Sequence, residues 1–221
     1  MRRRDVLGLF ALAMLCYAGI AAAAPTANAD GAKTPLDTYL DNLKTLRTIF
    51  LQTLVDSHGK EIDRSTGTLI VVRPGKLRWE VHPDGSAASA GQLMVADGRN
   101  FWFLDRDLQQ VTVKPADAAL SATPAMLLSG TGDVRKNFKL TPAGTREGLD
   151  WTLVEPLGND ADFRSALFGF EKGDLKRLIL EDKLGQTATV MFQKIEKNGP
   201  VAPDEVSFTV PKGVDVIGKP R

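Results

Sequence analysis

Between Thr48 and Val210 apolar and polar residues alternate again and again, and that period of two confines most of this chain to β-strands. Lys76-Leu77-Arg78-Trp79-Glu80-Val81 shows the pattern in full, with Leu77, Trp79 and Val81 on one face and charges on the other. Similar runs lie at 48–55, 67–72, 94–96, 100–104, 110–113, 138–141, 151–155, 165–170, 175–181, 187–192 and 205–210. Turn residues divide them at Asp97-Gly98, at Asp105-Arg106-Asp107 and again from Asp182 to Gly185. About ten strands in short hairpin steps fit one antiparallel sheet that curls on itself. The alternation predicts one dry face and one wet face.

Two stretches break the pattern. After Thr34-Pro35, Leu36, Leu40, Leu43, Leu46 and Phe50 recur at spacings of three and four, which predicts a helix ending near Thr48. A second helical stretch covers 116–129, with Thr123-Pro124 and Gly130 as punctuation. Both are apolar enough to cover the dry face, so the fold class is mainly β with α (α+β). Charges at Arg78, Glu80, Lys172, Lys176, Arg177 and Glu181 oppose a lipid-embedded barrel, whose strands need apolar outer bands.

The N-terminus follows other rules. Met1-Arg2-Arg3-Arg4-Asp5 leads an apolar run from Val6 to Ala24, and Ala27-Asn28-Ala29 follows. A basic head, an apolar middle and small residues before a cut describe a secretory signal, cleaved after Ala29. A cut after Ala24 would place Pro25 just beyond the scissile bond. The expected organisation is a signal over 1–29 and one domain over 30–221, with export by the Sec or the twin-arginine route. An uncleaved anchor is the alternative, because the run is long enough to span a bilayer. The only cysteine, Cys16, falls inside the signal, and Leu15 before it is too large for a lipid-attachment site. The remainder then has no disulfide and no thiol chemistry. Formal net charge is +1, so no basic field exists to attract nucleic acid.

Candidate catalytic residues are missing from the pattern. The two histidines, His58 and His82, lack the companions a metal site needs, and His82-Pro83-Asp84-Gly85 reads as a turn. There is no Gly-x-Ser-x-Gly elbow and no phosphate-cradling glycine loop. Asp105 and Asp107 belong to a hairpin loop. No catalytic residue, metal or cofactor is expected.

Several blocks do point to a family. Gly67-Thr68-Leu69, Arg73-Pro74-Gly75-Lys76-Leu77-Arg78-Trp79 and Val95-Ala96-Asp97-Gly98-Arg99-Asn100-Phe101-Trp102-Phe103 occur in order. Asp107-Leu108-Gln109-Gln110-Val111 and Thr123-Pro124-Ala125-Met126-Leu127-Leu128 continue the series, with Phe50 and Gln52 before it and 182–186 and 208–214 after it. Together they resemble the periplasmic outer-membrane lipoprotein carriers of the Lol pathway (the LolA family), over nearly the whole chain beyond the signal. The resemblance implies an incomplete, half-open antiparallel β-barrel with helices as a lid over an apolar cavity. It implies a periplasmic carrier that takes lipoproteins, by their acyl chains, from an inner-membrane ABC transporter to an outer-membrane receptor. A carrier must hide its apolar groove, and a monomer is the simplest expectation. In such a carrier Arg73 clasps the lid by hydrogen bonds until lipid enters, and Leu77 contacts the transporter. Leu69, Val71, Leu77, Trp79, Phe101 and Phe103 on the strands, with Met126 and Leu127 on the second helix, would line the cavity. Core packing is the competing role for Trp79, Phe101, Phe103, Met126 and Leu127.

Physical chemistry sets the task of such a carrier. Burying one 16-carbon chain is worth roughly 12 kcal/mol at ~0.8 kcal/mol per methylene. Three chains would sum to roughly 36 kcal/mol, beyond the ~21 that non-covalent binding reaches. A carrier must therefore grip only part of that surface, and a lid that closes without lipid competes with lipid and lowers the net affinity. A general lipid-binding or sensor domain of the same fold, and an envelope hydrolase, are the alternative functions.

Overall fold

The computed structural model describes residues 33–87, 89–117, 124–130, 133–159, 161 and 163–221, with the side chains of 124–126 excepted. The expected signal and its cleavage point lie outside these residues. No helix among the described residues is long and apolar enough to cross a membrane.

Helix α1 (Pro35–Asp41) opens on a reciprocal cap. Thr34 Oγ1 accepts from the Asp37 N–H at 3.1 Å, and Asp37 Oδ2 accepts from the Thr34 N–H at 2.8 Å. The helix stops two turns short of the sequence-based expectation. Leu43 lies in the link after it, and Leu46 and Phe50 belong to β1 (Thr45–Val55). Spacings of three and four cannot exclude a strand when a turn falls inside the run. Asn198 fixes the change of direction: its Oδ1 accepts from the Lys44 N–H at 2.8 Å, and its Nδ2 donates to Asn42 O at 2.9 Å.

Strands β2 (Glu61–Val72), β3 (Lys76–Pro83), β4 (Gln92–Asp97), β5 (Asn100–Asp105) and β6 (Gln110–Pro115) follow as a meander. Helices α2 (Pro124–Ser129) and α3 (Val134–Asn137) come next, then β7 (Phe138–Arg146), β8 (Leu149–Pro156), β9 (Phe163–Glu171), β10 (Asp174–Asp182) and β11 (Thr187–Lys197). β12 (Asp215–Ile217) closes the list. Among the described residues these form one 12-stranded sheet in the order β12-β6-β5-β4-β3-β2-β1-β11-β10-β9-β8-β7. All neighbours pair antiparallel except β12, which runs parallel to β6. The sheet is open: β12 and β7 are edges and do not pair with one another. This is the half-open antiparallel architecture with few helices that the sequence predicts.

One apolar cluster lies on the inner face. It takes Leu46 and Phe50 from β1, Leu69 and Val71 from β2, Leu77 from β3, Phe168 from β9 and Phe192 from β11. α1 rests on β8 and β9, and α2 rests on β2 and β3. The Leu36 N–H donates to the buried Thr152 Oγ1 at 3.2 Å, which pins the start of α1 to β8.

Two expectations need correction. Residues 205–210 do not form a strand: a 3₁₀ turn at Pro203–Val206 is followed by extended chain outside the ladder. The alternation there is real, but Phe208 and Val210, with Val214, lie on the outer face of the sheet instead of joining it. They cover Leu93, Val95, Trp102, Leu104, Val111 and Val113, a second dry layer. The outer face is therefore wet on β3, at Arg78 and Glu80, and dry from β4 to β6. Single-strand alternation misses this because β4 and β5 are apolar at nearly every position.

Candidate functional site

Register places the candidate residues in rows across the inner face. Leu69 pairs with Trp79, Trp79 with Met94, and Met94 with Phe103. The next row runs Val71, Leu77, Ala96, Phe101. Paired residues share a face, so all of these stand on the side that carries α1 and α2.

Burial divides them. Leu69, Val71, Leu77 and Leu127 are no more than 1% exposed. Trp79, Phe101 and Phe103, with Val81 and Met94, are only half-buried. Trp79, Val81 and Phe101 flank the main cluster from its edge. The inner face thus has a sealed half under the helices and a partly open half of aromatic and flexible side chains. The side chain of Met126 lies outside the described residues.

Arg73 sits between the two helices. It occupies the turn from β2 to β3, whose backbone is tied to both covering segments: the Arg73 N–H donates to Lys44 O at 2.8 Å, and the Gly75 N–H donates to Ser129 O at 2.7 Å. The Arg73 guanidinium donates from Nη1 to Leu40 O, in the last turn of α1, at 2.6 Å. It also lies against Gly130 at the end of α2, where a Cβ would collide with Nε and Nη2. Gly130 has a φ of 71°, so glycine is required there by conformation as well as by space. A cation at the carbonyl end of a helix is favourably placed. Burial lowers the guanidinium from its ordinary pKa, with Asp41 acting against that shift.

Trp79 carries a further signal. Its ring meets Phe50 edge-on, centroids 5.4 Å apart. Phe50 fits there because Gly67 has no side chain; a Cβ would overlap the Phe50 ring and the Glu80 carbonyl. The Trp79 Nε1–H is buried and has no hydrogen-bond partner among the described residues. Two other buried polar atoms share that state, Tyr39 Oη and Arg106 Nη1. Tyr39 is packed beneath α1 against Phe170, at 5.3 Å, and burial pushes its hydroxyl pKa up. Arg106 lies at the outer face, where its other nitrogen Nη2 bonds Glu80.

A cleft of about 530 Å³ opens along α1, lined among others by Thr38, Tyr39, Phe170, Lys172 and Lys197. It contains none of the candidate residues and is partly charged. No group of three or more potential metal ligands occurs among the described residues.

Sequence reasoning missed three contributors. Phe50 closes a helical spacing and also falls in the 48–55 run and a family block, Gly67 opens a run and a block, and Gly130 is punctuation, but none of the three has a site role in the sequence reading. Their function emerges from what lies opposite: Phe50 needs Gly67, and Gly130 needs Arg73. The residue types hinted at close approach, but the pairing exists only in the folded chain.

Residues 41–209 match the family model described as outer membrane lipoprotein carrier protein LolA. The outer-membrane lipoprotein carrier protein of Dechloromonas aromatica is 41% identical over 189 residues, 86% of this chain and 88% of that protein. The protein of the same description from Cupriavidus necator is 36% identical over 220 residues, 98% of this chain and 99% of its own. Among solved structures, an uncharacterized conserved protein from Thermus thermophilus superposes with a TM-score of 0.50 at 12% identity, covering 83% of this chain and 96% of that one. That likeness concerns the fold alone.

Proposed function

We propose, since this chain belongs to the LolA family of outer membrane lipoprotein carriers, that it holds the acyl chains of lipoproteins against the half-buried inner layer. Its role is carriage of lipoproteins in the periplasm, and carriers of this family bind and release without catalysis. The observation that best supports the site is the placement of Trp79, Phe101 and Phe103. They lie on the helix-covered face yet remain partly open, whereas a core without a guest would close over them.

In this reading α1 and α2 form the lid, and Arg73 joins them when no cargo is present. A guanidinium suits that role, because one planar fork bonds backbone carbonyls that no side-chain substitution can remove. Entering acyl chains displace α2 from β2 and β3, uncover Leu69, Val71 and Leu77, and add Met126 and Leu127 to the lining. The cost of opening subtracts from the gain of burial, which keeps release possible. Leu77, now 1% exposed, can meet an inner-membrane ABC transporter only after the lid has moved. An outer-membrane receptor takes the cargo at the end of the journey. Residues 1–29 serve as an export signal cut after Ala29, and residues 30–221 act as one domain and as a monomer.

Native mass spectrometry of the protein, taken from the envelope without detergent, tests this reading. A non-covalent adduct of lipoprotein mass, lost in Trp79→Glu, is the expected result. A phospholipid adduct instead would move the cargo to general lipid transport. Arg73→Leu is expected to fold but to retain or hand over cargo abnormally; transfer at the rate of the unmodified protein would remove the clasp from the mechanism.

A further inference from the structure

Three tryptophans occur in this chain, and their indole N–H groups are treated differently. Trp102 Nε1 donates to Asp97 Oδ2 at 2.8 Å, and Trp151 Nε1 donates to Arg146 O at 3.1 Å. Trp79 Nε1 is withdrawn from solvent but finds no partner among the described residues. Buried indole N–H groups normally acquire one, and an exception calls for a missing acceptor. Among the described residues its register partners Leu69 and Met94 and its ring neighbour Phe50 offer no side-chain acceptor better than the weak thioether sulfur of Met94.

The unmet donor stands on the face assigned to acyl chains. We infer that the Trp79 indole N–H donates a hydrogen bond to an ester carbonyl of the bound lipid, and so fixes how deep the acyl chain enters. This rests on the carrier reading and adds a specificity element to it. An ester carbonyl is a pure acceptor, which matches a lone donor. An amide would bring its own N–H, for which these neighbours hold no good acceptor. A purely hydrocarbon guest would leave the indole unpaired in both states. An ester removes the mismatch on binding, so ester-bearing lipid gains affinity over an equally apolar lipid without it.

The test compares two probes on the purified, lipid-free protein. One is a synthetic lipopeptide with a dipalmitoylglyceryl head; the other is its dihexadecyl ether counterpart, alike in length but without carbonyls. The unmodified protein is expected to bind the ester about two- to tenfold more tightly than the ether, the range of one net hydrogen bond. Trp79→Phe keeps an aromatic ring and removes the donor, so ester and ether affinities should converge. Equal binding of both probes by the unmodified protein, or an equal loss for both in the variant, overturns the inference while the carrier reading stands. Binding of neither probe overturns the carrier reading, and this inference falls with it. A second readout needs no variant to fold. Among the indole N–H resonances of the ¹⁵N-labelled protein, that of Trp79 should move downfield with the ester probe and stay in place with the ether. The same movement with both probes rejects the hydrogen bond.

Discussion

The two faces of β4 and β5 are both apolar, yet they are finished in opposite ways. On the outer face the chain covers itself: Phe208 lies over Trp102 with centroids 5.2 Å apart, and Val210 and Val214 complete the layer. β12 pairs with β6, and the Arg221 N–H donates to Asn100 Oδ1 at 2.7 Å, so the covering segment is fastened beyond its apolar part. On the inner face Met94, Phe101 and Phe103 remain half-buried, and Trp79 keeps an unmet donor. One layer is a finished core; the other is completed by cargo in the reading proposed above. The same residue types are covered on one side of a strand and left half-open on the other, and what separates the two sides is whether the chain supplies the cover.

Substitutions on the two faces should therefore differ. The largest effect is expected at Trp102→Ala, which opens a cavity in a filled layer and costs about 3–5 kcal/mol, measurable by chemical denaturation. The affinity of the folded fraction for acyl cargo should not change. Gly67→Ala comes next, at about 1–3 kcal/mol, because its Cβ forces Phe50 and the β3 backbone apart. It should also weaken cargo binding through the displaced Phe50–Trp79 contact. Trp79→Ala is expected to cost less stability than Trp102→Ala, about 1–2 kcal/mol, because the side chain is already part-exposed. Cargo binding should nevertheless fall sharply. Equal stability losses at Trp79 and Trp102 would erase the distinction between the faces.

Much of the fold was legible in the sequence, since period-two runs and Asp-Gly turns are local properties. The helix boundary at Asp41 was not, because Leu43, Leu46 and Phe50 satisfy a helical spacing while lying in a link and a strand. The outer dry layer was illegible for a related reason: Phe208 and Val210 alternate as a strand would, and only tertiary packing shows that they lie across the sheet. Of the candidate site, Arg73, Trp79, Phe101 and Phe103 could be named from the family's blocks. Which of them are sealed and which half-open depends on where α2 falls, and no single segment encodes that. The unmet Trp79 donor is a relation to absent neighbours, so no pattern of residues could announce it.

The smallest expected effect is linked to protons and again separates the two tryptophans. Burial alone would raise the pKa of Asp97, but the N–H groups of Asn100 and Arg99, each at 2.8 Å, and the Trp102 indole together hold it below its ordinary 3.8. A carboxylate whose pKa is depressed on folding stabilises the fold fully above the unfolded value, and that contribution disappears as pH falls through the folded one. The outer layer should therefore loosen in acid, starting as pH drops below about 4. Asp97→Asn keeps a carbonyl acceptor but cannot titrate, so the variant should be slightly less stable near neutrality. The difference from the unmodified protein should shrink as acid is added, since other carboxylates are common to both. Denaturation midpoints followed by Trp102 fluorescence, in a Trp79→Phe, Trp151→Phe background, would show it. A difference that stays constant with pH would mean that Asp97 supports the turn by shape alone, and that the outer layer owes its closure to Phe208 and Val210 without electrostatic help.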